Sequence, residues 1–136
     1  MVRLVCDLLD ASAERFPEKI VLLQGEVRWT FAEIEMFSNR LARILIDQCL
    51  KKGDRVLMVM ESSCESAACY YGILKAGGVC VEIHDRSTPA EVAYYRDNSG
   101  AGISILSRNP LLRDLLGVCW TWLSGLGWPH TAWHEL

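Results

Sequence analysis

His84 and Asp85 are the first residues to weigh for chemistry. An imidazole beside a carboxylate, with serines nearby, is raw material for a hydrolytic triad. The chain has no G-x-S-x-G elbow, however, and adjacent residues at a strand end are expected to point to different sides. The pair is therefore read as a strand end rather than a catalytic dyad. Gly77-Gly78 and Gly100-x-Gly102 are too short for a dinucleotide fingerprint, which needs G-x-G-x-x-G between a strand and a helix. They read as helix stops. Tyr94 and Tyr95 read as core and rim of a helix rather than a base-stacking platform. Lys51-Lys52 reads as a solvated helix end. Glu82 interrupts an apolar strand and either points outward by alternation or faces a cleft.

Cysteine is the other reactive type. Cys6, Cys49, Cys64, Cys69, Cys80 and Cys119 include no C-x-x-C pair, and no histidine stands near them at zinc-ligand spacing. The expectation is free thiols, mostly buried as small apolar side chains, in the cytoplasm or another reducing intracellular compartment. The net charge of −3 suggests neither a nucleic-acid surface nor an acidic tail. No uncharged apolar run reaches the roughly 18 residues of a membrane span. Asp7 and Asp10 interrupt the opening MVRLVCDLLDAS where a secretory signal needs an apolar core, so no signal is expected.

The positioning elements follow from periodicity and punctuation. With 136 residues, 51% of them apolar, the chain suits one domain with a sizeable core. Leu4–Phe16 reads as a helix with Leu4, Leu8, Leu9 and Ala13 on one side, stopped by Pro17. KIVLLQ (19–24) and VRWTF (27–31) read as a hairpin turning at Gly25. Thr30 and Glu33 form a T-x-x-E capping box. Phe31, Ile34, Phe37, Leu41, Ile44 and Leu45 then make the apolar stripe of a second helix, ending before Lys51-Lys52-Gly53. RVLMVM (55–60) reads as a strand covered on both faces. Ser62 and Glu65 have capping-box spacing for a third helix, which Gly77-Gly78 close. Val79–Ile83 is the next strand. Thr88-Pro89-Ala90-Glu91 opens a fourth helix, and GISIL (102–106) is the last strand.

The order strand, helix, strand, helix, strand predicts an α/β fold. The expected unit is a three-layer parallel-sheet βαβαβ fragment, with an N-terminal helix and a β-hairpin that extends or flanks it. Residues 1–107 form this unit. Residues 108–136 are an atypical Trp- and Gly-rich tail, expected to be poorly ordered. It carries Trp120, Trp122, Trp128 and Trp133. It is read as a truncated, alternatively spliced or mistranslated end rather than an aromatic patch for a partner or membrane interface.

Four blocks, in order, carry a family resemblance: the helix–Pro opening with its hairpin, WTFAEIEMFSNRLARIL, KKGDRVLMVMESSCE, and GILKAGGVCVEIHDRSTPAEVAYYRDNSGAGISIL. Together they resemble the N-terminal end of the adenylate-forming superfamily: acyl-CoA synthetases, luciferases and nonribosomal peptide synthetase adenylation domains. The resemblance implies a parent reaction in which a carboxylate and ATP·Mg²⁺ give an acyl-adenylate and pyrophosphate. The acyl group then passes to CoA or to a carrier protein's thiol. The family's Ser/Thr/Gly-rich phosphate loop with its lysine does not occur in these residues, nor do its aromatic-Thr-Glu segment, ribose Asp and C-terminal-domain lysine. No catalytic, cofactor-binding or metal residue is therefore assigned; ATP, Mg²⁺ and CoA are implied only for the intact family. Where the family reads V-P-L/I-D, this chain has Val81-Glu82-Ile83-His84-Asp85. The resemblance thus implies a truncated AMP-dependent ligase of the acyl-CoA synthetase type, inactive alone. The other reading is a non-catalytic fragment that self-associates or pairs with a full-length relative.

Overall fold

The computed structural model describes residues 4–106, so the expectation for 108–136 lies outside the described residues. The element order is α1 (Val5–Arg15), β1 (Ile20–Gln24), β2 (Val27–Thr30), α2 (Phe31–Asp47), β3 (Arg55–Val59), α3 (Cys64–Lys75), β4 (Val79–Ile83), α4 (Pro89–Ser99) and β5 (Ile103–Leu106). β4, β3 and β5 form a parallel sheet in that order, with β3 central. β1 and β2 form a separate antiparallel hairpin, so the hairpin flanks the sheet rather than extending it.

Alternation along β3 creates two cores. Val56 and Met58 face Leu9 of α1 and the apolar stripes of α2 and α3. Leu57 and Val59 face the other way, against Val92 of α4 and Leu106. All four β3 side chains are at most 1% exposed. The layers are therefore α1–α3, sheet, α4, as the sequence pattern implied. The hairpin joins the first core through Trp29, whose ring stacks on Phe37 with centroids 4.7 Å apart.

Helix ends show where local sequence decides. The Thr30 box forms: Thr30 N–H donates to Glu33 Oε2 at 2.7 Å, and Glu33 N–H to Thr30 Oγ1 at 3.2 Å. The α3 box is shifted by one residue from the expected Ser62–Glu65 pair. Ser63 caps instead, exchanging bonds with Ser66, because Ser66 Oγ accepts the Ser63 N–H at 2.9 Å. Helix α2 ends at Asp47, before Lys51-Lys52-Gly53 as expected. Leu50 N–H bonds back to Leu45 O, and Cys49 N–H to Ile46 O. This reversal buries Leu50 and forces Cys49 into the left-handed region at φ 65°. The same pattern ends α3, with Gly77 at φ 83° and Gly78 N–H bonded to Ile73 O. One reversal uses glycine and the other a cysteine that has a Cβ to accommodate.

Helix α1 also departs from expectation. It buries Cys6 and Leu9, while Leu4 and Leu8 are exposed. Docking against α2 and α3 chose the Cys6–Leu9 side, which also brings Asp10 to Lys75. Lys75 Nζ lies 2.7 Å from Asp10 Oδ1, 2.6 Å from Glu35 Oε2 and 2.9 Å from Asn39 Oδ1. The Asp10 contact is an ion pair without an aligned hydrogen bond. One ammonium, only 9% exposed, thus ties three helices.

Helices α2 and α3 pack at a glycine. A Cβ on Gly72 would lie 2.9 Å from Leu41 Cβ and 3.0 Å from Ser38 O. Gly72→Ala should therefore destabilise the fold by about 1–3 kcal/mol through overpacking, against a helix-propensity gain of roughly 1 kcal/mol. Cys49→Gly should do the reverse and stabilise by about 1 kcal/mol. Urea midpoints of the two variants at constant m-value check both signs.

Candidate functional site

Ligands of open α/β sheets sit outside the carboxyl ends of the strands. Here that edge carries Met60–Ser63 after β3 and His84–Ser87 after β4. Asp85 Oδ1 lies 3.1 Å from His84 Nδ1, so the chain turn brings together two side chains that strand alternation would separate. The same Nδ1 accepts the Arg86 N–H at 3.0 Å. A nitrogen that accepts this hydrogen has no proton to give Asp85. His84 therefore acts as a turn cap, reinforced by Ser87 N–H donating to His84 O at 3.0 Å. No serine hydroxyl hydrogen-bonds to His84 among the described residues, and the triad is not assembled. Glu82 pairs in register with Met58 and is exposed on the outer strand β4.

The start of α3 is the other place to look, since a helix N-terminus favours anions. Cys64 N–H already donates to Gln24 Oε1 from the hairpin at 3.2 Å, and Ser66 N–H to Ser63 Oγ. Burial raises the Cys64 thiol, and the charges of Glu65 and Glu33 raise it further. Carboxylates beside this helix start disfavour a phosphate there. Among the described residues, the start of α3 does not fit the phosphates of ATP.

The remaining reactive groups are equally quiet. Burial, with help from Glu65, pushes Cys69 up to about 12. Burial and Glu82 push Cys80 up to about 11. Neither is a thiolate near neutral pH. The five described cysteines are unpaired, and only Cys49 is fully exposed. No cluster of three potential metal ligands occurs among the described residues. Gly77 and Gly100 both adopt positive φ at helix ends, as read from their spacing. Tyr94 and Tyr95 differ from expectation: both are exposed, their rings edge to face at 5.6 Å, because Val92 alone of α4 is buried.

A cleft of about 330 Å³ lies at the opposite edge, lined by Gln48, Cys49, Asp54, Arg55, Gly100 and Ile103 among others. Its one cation is committed: Arg55 Nε donates to Ser99 O at 2.7 Å, capping the last carbonyls of α4. Sequence reading missed this contact and the Lys75 cluster. The latter had one local signal, Glu35 and Asn39 at i, i+4, with the Asn39 amide donating to Glu35 Oε1 at 2.9 Å.

The family model described as "AMP-binding enzyme" matches residues 9–120. A medium/long-chain-fatty-acid–CoA/3-oxocholest-4-en-26-oate–CoA ligase of Mycobacterium marinum is 34% identical over 95 residues, which are 70% of this chain and 17% of the ligase. The nonribosomal peptide synthetase FmoA3, in its α-methyl-L-serine-AMP bound form, superposes with a TM-score of 0.76 at 31% identity, covering 88% of this chain and 13% of that one. The Klebsiella oxytoca NpsA N-terminal subdomain superposes with a TM-score of 0.72 at 26% identity, over 88% of this chain and 34% of the subdomain. The chain thus spans about a sixth of the length of the curated ligases it matches.

The loop through His84 leads into the Thr88–Glu91 cap of α4, where Thr88 N–H donates to Glu91 Oε2 at 2.7 Å. Hydrogen bonds from the Thr88 backbone and side chain hold the Glu91 carboxyl below its usual value. A depressed folded pKa contributes stability above the unfolded value, and that stability is lost as pH falls through the folded one. Wild type should therefore be more stable than Glu91→Gln at pH about 7. The difference should shrink towards zero below about pH 4. Urea denaturation of both proteins at the two pH values reads this directly.

Proposed function

The chain belongs to the AMP-binding enzyme family, and we propose that it is a scaffold fragment of an acyl-CoA synthetase-type ligase that does not adenylate a carboxylate by itself. One observation carries the reading. The match falls on the packing elements of the family's N-terminal part, while at the start of α3 the Cys64 N–H is already bonded to Gln24 and the nearby charges are those of Glu33 and Glu65. Adenylation needs donors and cations arranged around phosphate charge in flight. Among the described residues, the two cations held most closely, Lys75 and Arg55, are committed to Asp10, Glu35 and the end of α4. The sequence also contains no Ser/Thr/Gly-rich loop followed by lysine.

For the parent reaction, the ligase relatives support a fatty-acyl substrate with CoA as acceptor. The peptide-synthetase likeness, of similar identity, supports the carrier-protein alternative. Unpaired, buried thiols support a reducing intracellular setting. No helix among the described residues is long and apolar enough to cross a membrane.

A second reading has its own observation. The outer edge of β4 pairs with nothing among the described residues, and Val79 is 47% exposed there. An apolar edge guarded only by Glu82 is a template for strand addition. It supports self-association or pairing with a full-length relative.

The test of the first reading is carboxylate-dependent exchange of labelled pyrophosphate into ATP by the purified full chain, across short- to long-chain fatty acids. The expected result is exchange no faster than the protein-free blank. Exchange that co-purifies with the chain would overturn the fragment reading. Light scattering on the same preparation checks the second, which predicts dimers or larger species; a strict monomer at high concentration would remove it.

A further inference from the structure

Helix α1 is attached differently from the other helices packed on this face. It buries two residues, Cys6 and Leu9, whereas α2 and α3 bury six each. Leu4, Val5 and Leu8 are each more than half exposed, so much of its apolar surface takes no part in docking. With 11 residues it is too short to hold its own hydrogen bonds once undocked. The backbone fixes where it would part from the fold. Ala32 N–H donates to Pro17 O at 3.0 Å, and Phe31 N–H to Lys19 O at 3.1 Å. Residues 17–19 therefore stay anchored to the start of α2, and the hinge falls at Phe16.

At Lys75 the charge arrangement lowers the usual penalty for such an opening. Breaking a buried ion pair is costly when it strands a charge. Lys75 has two carboxylates, and losing Asp10 leaves Glu35 at 2.6 Å and Asn39 at 2.9 Å. Asp10 Oδ1, shielded from solvent without an aligned hydrogen bond, regains water on release. We propose that α1 is a releasable strap: residues 4–15 undock and melt as one unit while α2, α3 and the parallel sheet stay folded. The opening uncovers the site that Leu9 fills between α2 and α3 and bares Cys6. It is a sub-global opening of the kind that separates one segment from the rest of a domain, and it holds whether or not the chain adenylates.

Hydrogen exchange of the full chain, read by mass spectrometry across a urea series, tests this. Amides of Leu8–Arg15 should exchange at least roughly tenfold faster than those of Leu41–Leu45, with a smaller urea dependence. Leu9→Ala should speed α1 exchange by at least a further tenfold or so and leave β3 protection nearly unchanged. Asp10→Asn should speed α1 by only a few-fold, because Lys75 keeps Glu35. Among Cys49, Cys6 and Cys69, N-ethylmaleimide should modify Cys49 first, then Cys6, and Cys69 only on global unfolding. The proposal fails if α1 and α2 exchange with the same protection and urea slope. It also fails if Leu9→Ala lowers β3 protection as much as that of α1.

Discussion

The rest of the structure depends on the two-sided burial of β3. Val56, Leu57, Met58 and Val59 offer no polar side chain to water on either face. Such a strand is stable only with a layer on each side and a partner on each edge. β4 and β5 supply the edges in exact register, with Val56 opposite both Cys80 and Ile103. Parallel pairing requires crossovers, and the crossovers are the helices that cover the faces. Burying four such side chains favours folding by about 1.5–3 kcal/mol each. That exceeds what the polar contacts around them contribute.

The polar contacts fix arrangement instead. Lys75 holds α1, α2 and α3 at one point. Arg55 joins the start of β3 to the end of α4. Gln24 joins the hairpin to the start of α3. Each commits a donor or acceptor to holding separate elements together.

Much of this fold was legible in the sequence, for local reasons. The stripe Ile34–Phe37–Leu41–Leu45 and the run 56–59 are periodic signals that tertiary packing then obeyed. The Thr30 and Thr88 caps are local hydrogen bonds and formed as read. The misreadings arose where a distant partner decides. Leu50 is pulled into the core, and the reversal sets Cys49, which no local signal marked, in the left-handed region. Asp10 meets Lys75 and turns α1 so that Leu8 faces solvent. Asp85 reaches His84 because the chain has already left the strand. The site was legible mainly as motif content: the family blocks are local, whereas the commitment of Lys75, Arg55 and Gln24 to structure is visible only in three dimensions.

Membership of the AMP-binding enzyme family and the commitment of Lys75 and Arg55 to structure meet in the proposal that this chain is scaffold rather than nucleotide site. Titration calorimetry of the full chain with ATP·Mg²⁺ tests it most directly. The account predicts only heats of dilution. Saturable binding near one ATP per chain, abolished by unfolding the protein, would contradict it.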